Sequence, residues 1–285
     1  MENVVIYNGH LYPVSKVPIS YDNRAFKYGD SIFETVRCYA HYPLHFALHY
    51  KRMIKAMLRL HMDIASLPRE EMLLDLVVKL LQNKKAFSAS RVRIELFRSG
   101  GGLYTPQQNK INFLIESSEI PNAKYELNDK GLFVDVYGEM MKEYNPVSFF
   151  KNGNSLHYIL AAIHKQNKDL NDCFLVNQQG KIIEAISSNL FWVKKKVIYT
   201  PSVYSGCVAG IMRQVIIDLI KQNNELNLVE LQGASNDELL NADEIFLTNA
   251  IQGIQWVVGY REKRYFNHTA KKIIQSLNTF TFEHL

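Results

Sequence analysis

Cysteine is scarce in this chain of 285 residues: Cys38, Cys173 and Cys207 lie far apart, are odd in number and include no CxxC pair. That usage excludes a disulfide framework and leaves reduced, buried thiols as the expectation. Long apolar runs are missing too, and none approaches the roughly 18–20 residues a membrane span needs. The opening segment MENVVIYNGHLYPV has no basic stretch followed by an apolar one. No secretory signal is therefore expected, and the cytoplasm is the expected compartment. Neither GxSxG nor HExxH occurs, and Gly100-Gly101-Gly102 is not followed by GK[ST]. The α/β-hydrolase, zincin and P-loop signatures are thereby excluded. No period of 20–50 residues repeats, which excludes a solenoid.

Charge of one sign is not concentrated anywhere. The net charge of +5 is spread along the chain, and the densest run, Lys194-Lys195-Lys196, falls between FWV and VIYT. A hairpin turn is expected there, with its lysines in water, so nucleic acid is not an expected partner. A mild positive balance also suits an anionic small molecule. With 47% hydrophobic and 21% charged residues, composition is that of a globular protein with a sizeable core.

Pattern divides the chain in two. In the first half, VVIYNG and LYPVS read as a hairpin, and SIFETVRCYA, VRIELFR and INFLIESS as strands. HFALHYKRMIKAMLRLHM and REEMLLDLVVKLLQN read as helices, the first set off by Pro43. The polar stretch EIPNAKYELNDKG is the linker candidate, giving a small domain over 1–118, a linker over 119–131 and a larger domain over 132–285. In the second half, CFLVN, KIIEAI, NLFWV and VIYT read as an antiparallel meander, followed by the helix GIMRQVIIDLIKQN and the strand EIFLTNA. The fold class expected is α+β, without the alternating βα series of a Rossmann fold.

A few residues could carry chemistry. Lys151 follows Phe149 and Phe150 and precedes the turn-like Asn152-Gly153-Asn154. Desolvation beside aromatic rings favours the neutral amine that imine formation and proton abstraction require. Taken alone, Lys151 also fits a snorkelling surface residue. Glu184 interrupts the apolar run KIIEAI, and a carboxylate facing a core needs a cationic partner such as a protonated pyridine nitrogen. A solvent-facing edge glutamate is the alternative. Gly210-Ile211-Met212-Arg213 opens a helix whose free N–H groups could cradle a phosphate. Thr248-Asn249-Ala250 could complete that cradle, and Arg52 could pair a phosphate through two donors. His41, His45 and His49 are spaced by four, but Pro43 interrupts the helix such spacing requires, so no metal site is expected.

The order of these features resembles the class IV aminotransferases, the fold-type IV pyridoxal-phosphate enzymes. The likeness runs from Asn8-Gly9 and Tyr28-Gly29-Asp30 to Ala242-Asp243-Glu244. It implies a two-domain fold with a small N-terminal α/β domain and a larger C-terminal domain, with the cofactor in the cleft between, and a homodimer. It further implies pyridoxal 5'-phosphate as cofactor, bonded to Lys151, which is also the acid–base catalyst. Glu184 becomes the partner of the ring nitrogen. Arg52, the backbone N–H groups of Ile211 and Met212, and Asn249 become phosphate contacts, and Tyr28 faces the substrate. Most members carry threonine where this chain has Met212, so a hydroxyl contact is lost there while backbone donation remains. Within the family, SNLFWVKKKVIYTP, GIMRQ and the segment around Arg98 and Tyr104 are more similar to the aminodeoxychorismate lyases than to the transaminases. Thr35 matches a threonine associated with those lyases, where a hydroxyl assists proton transfer at the lysine. Leu103 departs from the pattern, since an arginine is common there. Amino acid transamination, on an L- or D-substrate, is the rival activity, and a non-catalytic member of the fold is a further one.

Overall fold

The computed structural model describes residues 3–86, 88–223 and 226–283. The chain divides into two compact units. One comprises the residues up to Lys124 together with Phe150–Asn154; the other comprises Tyr125–Phe149 and everything from Ser155 onward.

The first unit contains β1 (Val4–Tyr7), β2 (His10–Pro13), α1 (Arg24–Tyr28), β3 (Ser31–Tyr39), β4 (Tyr42–Pro43), α2 (Phe46–Arg59), α3 (Glu70–Asn83), β5 (Ala89–Arg98) and β6 (Ile111–Ile120). Among the described residues its strands form one sheet in the order β2-β1-β6-β5-β3-β4. Alternation decides which face is dry. On β3 and β5 the residues Ile32, Val36, Cys38, Val92, Ile94 and Leu96 are buried. Against β3 packs α2, whose buried Phe46, His49, Arg52, Met53, Ala56 and Met57 recur at helical spacing. The opposite face carries Phe33, Thr35, Arg91, Arg93 and Glu95, with Phe33 opposite Glu95 and Thr35 opposite Arg93. Pro43 does end a segment, as expected: it closes β4, and α2 begins only after His45, which sits at φ 55°.

The second unit contains β7 (Leu132–Lys142), α4 (Leu156–Asn167), β8 (Asp172–Asn177), β9 (Ile182–Ala185), β10 (Asn189–Lys194), β11 (Val197–Pro201), α5 (Ile211–Gln222), β12 (Asn227–Leu231), α6 (Asn236–Leu240), β13 (Glu244–Asn249), β14 (Gly253–Tyr260), β15 (Lys263–Arg264) and α7 (His268–Phe282). Its sheet runs β12-β11-β10-β13-β14-β7-β8-β9, and β9 pairs back onto β10 through Glu184 and Asn189. Six strands thus close a ring, which removes two exposed edges. Phe174, Trp192, Leu247, Val257 and Tyr260 belong to one buried cluster of this unit. The expected meander is present as β8 to β11, with Lys195 and Lys196 in the β10–β11 turn.

Candidate active site

Lys151 is bound into the first unit although it lies far along the chain. The Phe33 N–H donates to the Lys151 carbonyl (3.1 Å) and the Gly153 N–H to the Ser31 carbonyl (3.0 Å), so Lys151–Gly153 runs as a short partner along the start of β3, which β4 leaves uncovered. Two glycines permit this approach. Gly29 ends α1 in the left-handed region (φ 64°), and a Cβ on Gly153 would fall 2.8 Å from the Gly29 carbonyl oxygen. The Lys151 amine lies 5.4 Å from the centroid of the Phe33 ring. Burial lowers its pKa from 10.5 to about 8, helped by the positive charges of Arg52, Arg91 and Arg93 and opposed by Glu34. At neutral pH roughly a tenth of the amine is then unprotonated, against well under a thousandth for an ordinary lysine.

Behind this edge lies a network that no sequence motif singles out. Glu34, on the dry face of β3, accepts from Arg52 Nε (2.7 Å) and Nη2 (2.6 Å) and from His49 Nδ1 (2.6 Å). A carboxylate only accepts, so Nδ1 carries the His49 proton. Burial alone would raise the Glu34 carboxyl, but the Arg52 guanidinium and the His49 imidazole outweigh it and hold the group at about 2. Arg52, expected as a phosphate contact, therefore has a guanidinium oriented by Glu34. Thr35 is buried and shares the face of Phe33. Tyr28 and Tyr104 lie together, ring centroids 5.6 Å apart, with the Arg24 guanidinium over Tyr28. Arg98 is buried and donates to Asp30 (2.9 Å), Asn109 (2.6 Å) and the Leu60 carbonyl (2.7 Å). Leu103 is exposed.

In the second unit Glu184 is 2% exposed. Its Oε1 accepts from Lys142 Nζ (2.5 Å) and the Tyr158 hydroxyl (2.9 Å), and its Oε2 from the Val208 N–H (2.8 Å). A core-facing carboxylate with a cationic partner is what its apolar setting requires. Lys142 and Tyr158 escape sequence reasoning: a lysine closing a strand and a tyrosine in a helix carry no local signature. Nearby, α5 begins at Gly210 with no side chain capping it, which leaves the first-turn N–H groups of Ile211 and Met212 without intrahelical partners. Asn189 links this helix start to Thr248, because it donates to the Val208 carbonyl (2.7 Å) and pairs across the sheet with Thr248. The Thr248 hydroxyl is buried and has no hydrogen-bond partner among the described residues. The Asn249 amide, by contrast, donates to Ser188 (3.0 Å) and Gln252 (2.9 Å), while its oxygen accepts from the Ile251 and Gln252 N–H groups.

The first unit offers a buried amine of lowered pKa, and the second offers a buried carboxylate, an uncapped helix start and an orphaned hydroxyl; these are the kinds of group that suit an aldehyde, a ring nitrogen and a phosphate. Pyridoxal phosphate carries all three groups, and the residues present fit it. The fold is that of the fold-type IV pyridoxal-phosphate enzymes. It superposes on the branched-chain amino acid aminotransferase from Escherichia coli at a TM-score of 0.87, with 20% identity over 99% of this chain and 95% of that one. The profile of the family Amino-transferase class IV matches residues 31–260. The chain belongs to the class IV aminotransferase family, and as such is a pyridoxal-phosphate-dependent enzyme. It is similar to the aminodeoxychorismate lyase of Bacillus subtilis (26% identity, 87% of this chain, 83% of the relative). It is also similar to the D-alanine aminotransferase of Bacillus licheniformis (25%, 86% and 84%). Among the described residues no helix is long and apolar enough to cross a membrane, and no cluster of His, Cys, Asp and Glu could hold a metal ion.

Proposed function

We propose that this enzyme is a 4-amino-4-deoxychorismate lyase, which converts its substrate to 4-aminobenzoate and pyruvate. When bound, pyridoxal phosphate supplies a carbon that bonds an amine and a ring that takes up developing negative charge. Lys151 would carry the cofactor and, once the substrate amine takes its place there, its freed amine would take the proton from the ring carbon that bears the nitrogen as the adjacent ring C–O bond breaks, and give it to the departing enolpyruvate, which becomes pyruvate. Its lowered pKa keeps the amine close to the balance point that proton transfer at neutral pH favours. Thr35, on the face that Phe33 shares, relays or steadies that proton through its hydroxyl. Glu184 would hold the ring nitrogen, and Arg52 and the N–H groups of Ile211 and Met212 would take the phosphate, while Asn249, whose amide donors are engaged by Ser188 and Gln252, shapes the turn after β13. The orphaned Thr248 hydroxyl is a further phosphate donor. Tyr28, Arg98 and Tyr104 shape the substrate side, Arg98 by fixing Asp30 rather than through an open guanidinium.

The observation that carries the lyase reading is the cationic strand face beside Lys151. Arg93 stacks on Phe33, its guanidinium carbon 3.7 Å from the ring centroid, opposite Thr35 on the neighbouring strand. The substrate carries two carboxylates, which an arginine face suits and the apolar Leu103 does not. A homodimer is part of this reading, supported by the exposed apolar line Leu156, Ile159, Leu160 and Ile163 along α4. The second reading, an amino acid aminotransferase, is favoured by the likeness to the D-alanine enzyme.

Incubating the protein with aminodeoxychorismate and measuring 4-aminobenzoate separates the two. No 4-aminobenzoate alongside rapid keto-acid formation from an amino acid would reject the lyase. Borohydride reduction should fix the cofactor to the wild type and not to Lys151→Ala; an unchanged reduced adduct in the variant would mean that another lysine carries it.

A further inference from the structure

Glu184 has a cation already. Lys142, 8% exposed at the end of β7, places its ammonium on Oε1, and the same ammonium donates to the Tyr158 hydroxyl (2.8 Å), which in turn donates to Oε1. The Val208 N–H takes one position on Oε2. A carboxylate offers about four acceptor positions, so three are filled and one remains. His157, in the first turn of α4, lies against Tyr158 with ring centroids 3.9 Å apart, and its Nε2 is buried without a partner. Burial, and then the Lys142 charge, lower the His157 pKa to about 4, so it brings no second positive charge. The closed knot therefore holds one carboxylate and one ammonium.

A protonated ring nitrogen placed on Glu184 meets that ammonium as a rival. Two cations on one buried carboxylate repel each other, and each reduces what the carboxylate can offer the other. We propose that Lys142 is a positioning residue that acts as an internal stand-in for the cofactor's pyridinium. It holds Glu184 in place before loading and competes with the ring nitrogen afterwards, which limits how tightly the cofactor is held. This rests on the reading of Glu184 as the ring-nitrogen partner.

The test uses the full-length chain freed of cofactor and titrated with pyridoxamine 5'-phosphate, which has the ring nitrogen and the phosphate but no aldehyde, so that binding is read without a covalent bond. A parallel titration uses its 1-deaza analogue, in which C–H replaces the ring nitrogen. Lys142→Met should bind pyridoxamine phosphate roughly tenfold more tightly, the scale of one charge-assisted hydrogen bond. Its affinity for the deaza analogue should stay at the wild-type value. The unloaded variant should melt lower than wild type, because it leaves a buried carboxylate without its cation, and saturating pyridoxamine phosphate should close the gap. Lys142→Arg, which keeps the charge, should show no gain, and Lys142→Gln serves if the methionine variant does not fold. Equal changes for both ligands, or unchanged or weaker pyridoxamine phosphate binding, would overturn the proposal and leave Lys142 a scaffold residue. Glu184→Gln should weaken pyridoxamine phosphate binding in the same assay. If it does not, Glu184 is not the ring partner, and that failure is separate from the first.

Discussion

Two buried carboxylates, one in each unit, solve the same physical problem differently. Glu34 takes both of its cation-side partners from a single helix: His49 and Arg52 stand three residues apart on α2, which packs on the strand that carries Glu34. The guanidinium meets it as a fork of two parallel donors. Glu184 collects its partners from three places: the end of β7, the first turn of α4 and the loop before α5. A pair locked by one helix face and a forked donor is set by the fold itself. A cluster assembled from three segments around a single-point ammonium is held less rigidly, and under the proposal above it exchanges its cation. The first is suited to fixing a charge, the second to receiving one.

The largest expected effect tests the locked pair. Glu34→Gln leaves the Arg52 guanidinium buried without its counter-charge and should destabilise the protein by about 3–5 kcal/mol in urea unfolding. The matching change Glu184→Gln should cost clearly less, and the reverse order would break the comparison. Acid titration sharpens it. Because the folded Glu34 value of about 2 lies below the ordinary 4.5, its contribution is complete above pH 4.5 and is lost as the pH falls towards 2. The contribution is on the order of 3 kcal/mol, and the part of acid unfolding that disappears in Glu34→Gln measures it.

Lys151 provides the next largest effect, with the opposite consequence for pH. Its folded value of about 8 lies below the ordinary 10.5, so the folded chain resists the charged form. The cost is present in full below pH 8 and is relieved as the pH rises from 8 to 10.5, over which stability should increase by on the order of 3 kcal/mol from this group. Lys151→Met, compared with wild type in cofactor-free protein, should lack that rise. Parallel stability curves for the two would show that the amine is ordinary.

Some of this is legible in the sequence and some is not, for reasons that differ by residue. Lys151 announces itself through neighbouring aromatics and a turn, and Glu184 through a charge within an apolar run; each is a local conflict between residue type and pattern. Strands such as β3, β5 and β10 carry regular alternation or strong apolar content. GLFVDVYGEMMK, which becomes β7, mixes glycine, charge and methionine, and only its parallel neighbours β8 and β14 make it a strand. The β14 segment and the last helix, α7, likewise stand outside the elements that pattern alone supplies. Glu34 sits one residue from Thr35 in the same FETVR motif, yet its importance depends on His49 and Arg52 reaching it from α2, a relation of tertiary packing. Lys142 meets Glu184 across 42 residues of chain. Pairings at that separation leave no trace in spacing. The donors of Arg98 and Asn249 are engaged within their own units, which composition has no way to show.

The cationic strand face comes next in size. Arg93→Leu removes a guanidinium stacked on Phe33 and bonded to Glu95, and with it the smallest of the named charge effects on Lys151, whose burial is the main cause of its lowered pKa. If that face holds a substrate carboxylate, the Michaelis constant for aminodeoxychorismate should rise roughly tenfold to a hundredfold, while cofactor loading stays near wild type. An unchanged Michaelis constant would move substrate anchoring elsewhere on the first unit.

The smallest effect concerns the receiving unit and reverses sign with ligand. The Thr248 hydroxyl is buried and unpartnered, so Thr248→Val exchanges a desolvated hydroxyl for a methyl of similar size. In cofactor-free protein that substitution should stabilise the fold by about 1 kcal/mol, since nothing is lost but an unmet hydrogen bond. If the hydroxyl donates to the phosphate as proposed, the same variant should bind pyridoxamine phosphate roughly fivefold more weakly. A structural hydroxyl would move both numbers in one direction. Opposite signs in the two measurements identify a polar group kept unsatisfied in the empty fold because a ligand completes it, which is the property that sets the Thr248 hydroxyl apart from the locked pair at Glu34.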